Sequence, residues 1–236
     1  MPASSGYAFF DLDGTLISEA SMVSFHRHRL LALGPTEGPA AWNGFQAEAA
    51  RMRATQRSRA TLNEWYYNTC FEDTDISALA SLAVGWLAQR RQDPAFFVAE
   101  ALECLKAHRA QGMPVVLLTG SFREVVAPLA ALFGASDFIC APLEEARGRY
   151  TGRLLGEPMI GEGKKAAIER FLQARGTDPA LCHGYGDDDS DIPFLSALGH
   201  PKVLANGHAD LLRHASAHGW ARIGASEPAG EDVAAV

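Results

Sequence analysis

Hydrophobic positions fall along the chain in three rhythms. At the start, "YAFF" is a short aromatic run ending in Asp11-Leu12-Asp13-Gly14-Thr15, which reads as a buried strand closed by a turn. From Ser18 to Arg91 the spacing becomes helical: "SMVSFHRHRLLALG", "FQAEAARMRATQ", "LNEWYYNTCF" and "ISALASLAVGWLAQR" return apolar residues every three or four positions, and nothing there reads as a strand. After Pro94 helices and short apolar runs take turns. "AFFVAEALECLKAHRAQG" predicts a helix ended by Gly112, "PVVLLTG" a buried strand, "REVVAPLAALFG" a helix stopped by Gly134, "DFIC" a strand and "GRYTGRLLG" a hairpin. A helix from Gly163 to Gly176, a strand near "LCHGYG", a helix after Asp191 and a short strand at "KVLA" complete the series.

Helices alternating with strands imply an α/β fold with a parallel sheet. The opening strand has its only possible partners downstream of the helical block, so it is expected at the centre of that sheet. The resulting expectation is a Rossmann-like parallel sheet core built from residues 1–17 and 92–225, with residues 18–91 as an inserted helical cap domain. The last residues, 226–236, belong to a small, polar stretch and are expected to be mobile. In such sheets ligands bind outside the carboxyl ends of the strands. Asp-Gly between apolar runs is also a strong hairpin signal, but "LISEASM" does not continue as a partner strand. Asp11 and Asp13 therefore stand at a strand end, with side chains on the same side because side-chain direction repeats every two residues.

Composition narrows the function classes. With 236 residues, 47% hydrophobic and 21% charged, the chain is an ordinary globular protein with room for one core domain and a smaller inserted one. No apolar run approaches the roughly 18 to 20 residues of a membrane span, and the N-terminus lacks a basic region followed by an apolar one, which points to the cytoplasm and to no membrane partner. The net charge is −7 and the basic residues are scattered, apart from a loose cluster at Arg51, Arg53, Arg57 and Arg59, unlike a nucleic-acid footprint. A monomer or homodimer is expected. Cys70, Cys104, Cys140 and Cys182 lie far apart with no C-x-x-C pair, so they read as free thiols rather than zinc ligands or a disulfide framework. His26, His28 and His183 show no metal-binding spacing and read as structural.

Other strand ends supply complementary groups. "VVLLTGS" ends in Thr119, Gly120 and Ser121 before a helix, offering a hydroxyl and backbone N–H groups of the kind that hold phosphate. "LCHGYGDDDSD" ends in Asp187, Asp188, Asp189 and Asp191. Lys164 and Lys165 open a helix, where positive charge opposes the helix dipole and needs another reason. Asp191, just before "IPFL", is also a natural helix N-cap.

These residues resemble the haloacid dehalogenase superfamily, and within it the subfamily IB group of phosphoserine-phosphatase-like enzymes. The likeness rests on "DLDGTL", the strand ending at Thr119, Lys164 after "GEG", and "GDDDSD", in that order and across nearly the whole chain. It implies a hydrolase of small phosphomonoesters, with Asp11 as nucleophile and Asp13 as general acid and base. Thr119, Gly120, Leu12 and Lys164 would bind the phosphoryl group, and Asp11, Asp13 and Asp187 would hold Mg²⁺. Asp191 would orient Lys164 or a metal-bound water. Lys165 competes with Lys164 for its role. A phosphotransferase or mutase on the same scaffold is the alternative, then phosphoserine phosphatase proper, and last a non-catalytic binding protein.

Substrate choice is expected to lie in the cap, with Glu19, Ser21 and the arginines from Arg51 to Arg59, Arg57 above all, as specificity candidates. Phosphoserine phosphatases carry a Glu nine residues after the nucleophile, where this chain has Ala20 and places Glu19 one residue early. "TGS" also departs from the serine-glycine-glycine of those enzymes.

Overall fold

The computed structural model describes residues 6–55 and 58–224; the expected mobile tail and Arg57 lie outside the described residues. In chain order the elements are β1 (Ala8–Asp11), α1 (Ser21–Leu31), α2 (Glu37–Thr55), α3 (Arg59–Phe71), β2 (Thr74–Asp75), α4 (Ile76–Arg90), α5 (Ala99–Ala110), β3 (Val115–Leu118) and α6 (Arg123–Phe133). They continue with β4 (Asp137–Ile139), β5 (Leu143–Ala146), β6 (Arg149–Leu154), α7 (Glu162–Arg175), β7 (His183–Gly186), α8 (Ile192–Ser196), β8 (His200–Leu204), α9 (Ala209–Ala217) and β9 (Ala221–Ile223).

Six strands form a sheet in the order β4-β3-β1-β7-β8-β9, with every pairing parallel. The protein is thus a Rossmann-like α/β sheet with a helical insertion, and β1 sits at its centre. β1 is flanked by β3 (Ala8 beside Val115, Asp11 beside Leu118) and by β7 (Ala8 beside His183, Phe10 beside Tyr185). That register brings the carboxyl ends of the three strands level. The chain order reverses direction across β1, and the crevice so created is where α/β sheets take ligands.

"AFF" and "VVLL" read as unbroken apolar runs because both faces of the sheet are covered. Ala8, Phe10, Val115 and Leu117 join one hydrophobic cluster with Phe122, Phe25, Tyr67, Phe71 and Trp86, which ties the inserted helices to that face. Phe9, Val116 and Leu118 point the other way, onto Ile168, Phe171 and Phe194. Phe9 and Phe10 are fully buried, each worth about 1.5–3 kcal/mol of transfer free energy.

The insertion leaves and re-enters the core side by side. Ser18 N–H donates to Phe96 O at 2.9 Å, Val98 N–H donates to Leu16 O at 3.1 Å, and the Ser18 hydroxyl donates to Ala95 O at 2.6 Å.

Four local expectations are corrected. The block 18–91 contains a strand after all: Thr74 and Asp75 of β2 pair with Tyr150 and Arg149 of β6, in a small antiparallel sheet ordered β2-β6-β5. Two residues are too few to show a period. "GRYTGRLLG" supplies one strand rather than a hairpin; the hairpin is β5–β6, turned at Arg147 (φ +53°) and Gly148 (φ +75°), the positive-φ pair that suits a tight two-residue turn. The helix expected from Ala95 starts at Ala99, because Pro94–Phe96 forms a 3₁₀ turn and Phe97 and Val98 are extended. α2 begins well before Phe45, with Pro39 tolerated in its first turn where N–H groups lack partners in any case. α9 and β9, nine and three residues long, lie beyond the elements expected from the pattern. All four cysteines are free thiols, and no described helix is long and apolar enough to cross a membrane.

Candidate active site

Asp11 is the last residue of β1 and is 5% exposed, followed by the fully buried Leu12. The chain then turns at once: Leu16 N–H and Ile17 N–H both donate to Leu12 O, and Gly14 N–H donates to Ile17 O at 2.7 Å. Gly14 takes φ +86°, and a Cβ there would fall 2.2 Å from Asp187 Oδ2. Glycine at this position lets the turn and the end of β7 approach each other. Thr15, in the same turn, donates its hydroxyl to Asp187 Oδ1 at 2.8 Å.

From α7, Lys164 reaches the end of β1. Its Nζ donates to Asp11 Oδ1 at 2.6 Å and to Asp191 Oδ1 at 2.7 Å, with all three side chains no more than 7% exposed. Those two carboxylates explain a lysine in the first turn of a helix, where the dipole disfavours it. Lys165 faces outward, 3.8 Å from Glu162. Asp191 Oδ2 accepts from the N–H groups of Asp187 (3.2 Å) and Asp188 (3.3 Å), so Asp191 fixes the loop behind the site and does not cap α8 with its side chain.

Burial pushes the Asp11 carboxyl well above its ordinary value; Lys164 opposes this, while Asp191, Asp187 and Asp13 add repulsion. Burial likewise lifts Asp13 to about 6, against the pull of the Ser21 hydroxyl and N–H. Asp187 is raised to about 6 by burial and then by Asp191, opposed by Thr15 and Lys164. For Lys164 burial works downward, but Asp11 and Asp191 overcome it and hold the ammonium above its ordinary value. Four carboxyl groups thus share one lysine. Carboxylate oxygens of Asp11, Asp187 and Asp191 lie within 4.8 Å of one another, and Asp13 Oδ1 has no hydrogen-bond partner. An all-oxygen set short of positive charge suits a hard divalent cation such as Mg²⁺. Asp191 already spends both oxygens on Lys164 and two N–H groups, which leaves Asp11, Asp187 and the Asp13 segment as the fitting ligands.

Beside Asp11, Thr119 follows β3 and is 1% exposed. Its N–H donates to Ile139 O, and its Oγ1 accepts from Ser121 N–H at 3.0 Å. Above these groups lies a cavity of about 500 Å³. Its floor includes Asp11, Asp13, Thr119, Gly120, Lys164 and Asp187, and its roof includes Met22, Leu62, Asn63, Tyr66 and Arg53. Arg53 Nη1 donates to the Tyr66 hydroxyl at 2.7 Å.

The specificity candidates fare differently. Glu19 is engaged elsewhere, paired with Arg90 at 2.9 and 3.0 Å and accepting from the Ser24 hydroxyl at 2.6 Å, in a separate cavity between α1 and α4. Ser21 is fully buried beside Asp13, close enough to lower its pKa, yet its Oγ has no partner at hydrogen-bonding geometry. Arg53, of the same basic cluster as Arg57, lines the cavity. Its phase was readable: Phe45, Ala49 and Arg53 are four residues apart, and the first two are buried in the insertion. The Thr15 hydroxyl was passed over as part of a turn.

A family model described as haloacid dehalogenase-like hydrolase matches residues 8–196. The chain belongs to that family. It is 29% identical to a probable phosphatase of Mycobacterium tuberculosis, over 96% of this chain and 78% of the relative. It is 26% identical to a histidinol-phosphatase of Neisseria meningitidis, over 90% of this chain and 96% of the relative. A solved phosphoserine phosphatase in its apo form superposes with a TM-score of 0.61 at 16% identity, covering 89% of this chain and 90% of that one, a likeness of fold. The subfamily resemblance read from the sequence agrees with these neighbours. A phosphomonoester hydrolase of this family is the enzyme class the sequence pointed to, and the phosphatase-named relatives agree with it.

Proposed function

We propose that this hydrolase removes the phosphoryl group from a small phosphorylated metabolite through an aspartyl-phosphate at Asp11, with Mg²⁺ as its metal. The observation that carries the reading is the buried Asp11–Lys164 pair at a strand end, 2.6 Å apart and open to the cavity that Asp13, Thr119 and Asp187 also line. A carboxylate meets a phosphate dianion only where cations offset the repulsion, and Lys164 is one such cation. Held by Asp11, Asp187 and the Asp13 carbonyl, Mg²⁺ would supply the second positive charge.

Asp11 attacks phosphorus in line, and the bond to the ester oxygen breaks as Asp13 gives that oxygen its proton. Asp13, now ionised, takes a proton from water, whose oxygen displaces the phosphoryl group from Asp11 as inorganic phosphate. Thr119, with backbone N–H groups of Leu12 and Gly120, holds the phosphoryl oxygens. The inserted helices keep bulk water away from the acyl phosphate. Arg53, Asn63 and Tyr66 face the leaving group. With Glu19 paired to Arg90, its charge is not offered to a substrate amine, which weighs against phosphoserine. A small soluble metabolite fits the cytoplasmic location expected from the sequence.

A phosphate-release screen over phosphorylated amino alcohols, amino acids, sugars and cyclitols tests this. Release is expected with Mg²⁺, with loss in EDTA and a fall of at least about 10³-fold in Asp11→Asn. In ¹⁸O-water the released phosphate carries label; unlabelled product on an acceptor alcohol would mean a phosphotransferase. No release from any compound would sink the reading.

A further inference from the structure

Tyr67 stands on α3, far in sequence from the strand ends, and is fully buried. Its hydroxyl donates to the carbonyl of Gly120. That carbonyl and the N–H of Ser121 are the two ends of one peptide plane, and the Ser121 N–H donates to Thr119 Oγ1 at 3.0 Å. Thr119 in turn lines the cavity beside Asp11. With a lone pair of Oγ1 taken, the threonine must direct its own O–H elsewhere, and the cavity is where a phosphoryl oxygen awaits a donor. All three links point the same way. A donor on the carbonyl strengthens the N–H across the plane, which strengthens the hydroxyl that accepts from it. On either side the loop is pinned, Thr119 N–H to Ile139 O at 3.0 Å and Ser121 O to Ala141 N–H at 2.9 Å, which leaves the Gly120–Ser121 peptide as the part that Tyr67 holds.

We propose that Tyr67 is a positioning residue that couples docking of the helical insertion to the phosphate grip of Thr119. This rests on the phosphomonoesterase reading. When α3 is seated, the Gly120–Ser121 peptide is held in the orientation that aims Thr119 at the phosphoryl group. Because the donor comes from α3, the grip of Thr119 depends on a residue of the insertion as well as on the strand end. A buried tyrosine with a purely structural hydrogen bond would contribute stability alone.

A double-mutant cycle separates the two. Tyr67→Phe keeps the ring and removes the donor; it is made alone, with Thr119→Val and with Thr119→Ser. p-Nitrophenyl phosphate turnover and calorimetric affinity for inorganic phosphate are measured with Mg²⁺. Tyr67→Phe is expected to lower kcat/KM and phosphate affinity by about tenfold in the wild-type and Thr119→Ser backgrounds, and by less than about twofold in Thr119→Val. Equal losses in all three backgrounds, or none in the wild type, would overturn the proposal. If the wild type binds phosphate but hydrolyses nothing, the phosphomonoesterase reading fails while the phosphate titrations still decide the role of Tyr67.

Discussion

The strand-end floor and the helical roof of the cavity both bury ionisable side chains, and they hold them in opposite states. In the floor, the Lys164 ammonium keeps its charge, held by Asp11 and Asp191 within hydrogen-bonding distance. In the roof layer, burial and the nearby Arg29 keep His26 down to about 4, and burial pushes the Cys70 thiol up to about 12, so both are neutral at pH 7. Burial by itself favours neutrality in both places. What differs is company: Lys164 has two carboxylates, whereas His26 has the Phe45 ring at 4.5 Å and Arg29 at 3.2 Å from Nδ1. The floor keeps its charge at the cost of strict pairing, and the roof keeps its packing by giving charge up.

The contrast is broken most forcefully at Lys164. Lys164→Met leaves Asp11 and Asp191 facing each other without compensation, and activity should fall by about 10³-fold or more. Stability should fall by about 3–5 kcal/mol as a buried pair loses one member. Lys165→Met should change neither. Equal effects of the two substitutions in activity assays and urea melts would refute the division.

A smaller effect is expected from His26. Because its folded pKa lies near 4, below the unfolded value of 6.5, the unfolded chain binds the proton first. The stability that the neutral ring allows is full above pH 6.5 and is lost as pH falls from there towards 4, by about 2 kcal/mol at pH 5. Denaturation midpoints at pH 7 and pH 5 should therefore diverge more in the wild type than in His26→Gln, and parallel pH dependence would show that the ring is not held neutral.

The smallest change is expected from Arg53→Ala, which removes a cation lining the roof without touching the reacting atoms. KM should rise by about tenfold for substrates whose leaving group carries an anionic or strongly accepting substituent, with little change for p-nitrophenyl phosphate. A uniform loss across substrates would place Arg53 in the floor's chemistry instead.

The same contrast explains what could be read from the sequence. Asp11, Asp187 and Lys164 were legible because a charged residue at a strand end or early in a helix violates a local preference, and the violation asks for a chemical cause. The parallel sheet and the long helices were legible because each has a period. Asn63 and Tyr66 break no rule where they stand; they face the cavity through the packing of α3, which no local pattern encodes. Glu19 looked available from its distance to Asp11, and long-range pairing with Arg90 decided otherwise. β2 and the turn at Arg147-Gly148 are set by a partner strand distant in sequence.

The place of β1 bears on how the protein is made. The strand that carries Asp11 leaves the ribosome before its neighbours in the sheet, Val115–Leu118 and His183–Tyr185. Its first neighbour follows about a hundred residues later and its second well after that. Until then "AFF" is an unpaired, aggregation-prone edge. The helices between are rich in local contacts and can form while the strand waits, shortening the loop that must close when β3 arrives. Nascent chains cut before residue 115 should be bound by chaperones through residues 7–10, and Asp11, early in the chain, is among the last groups to find its surroundings.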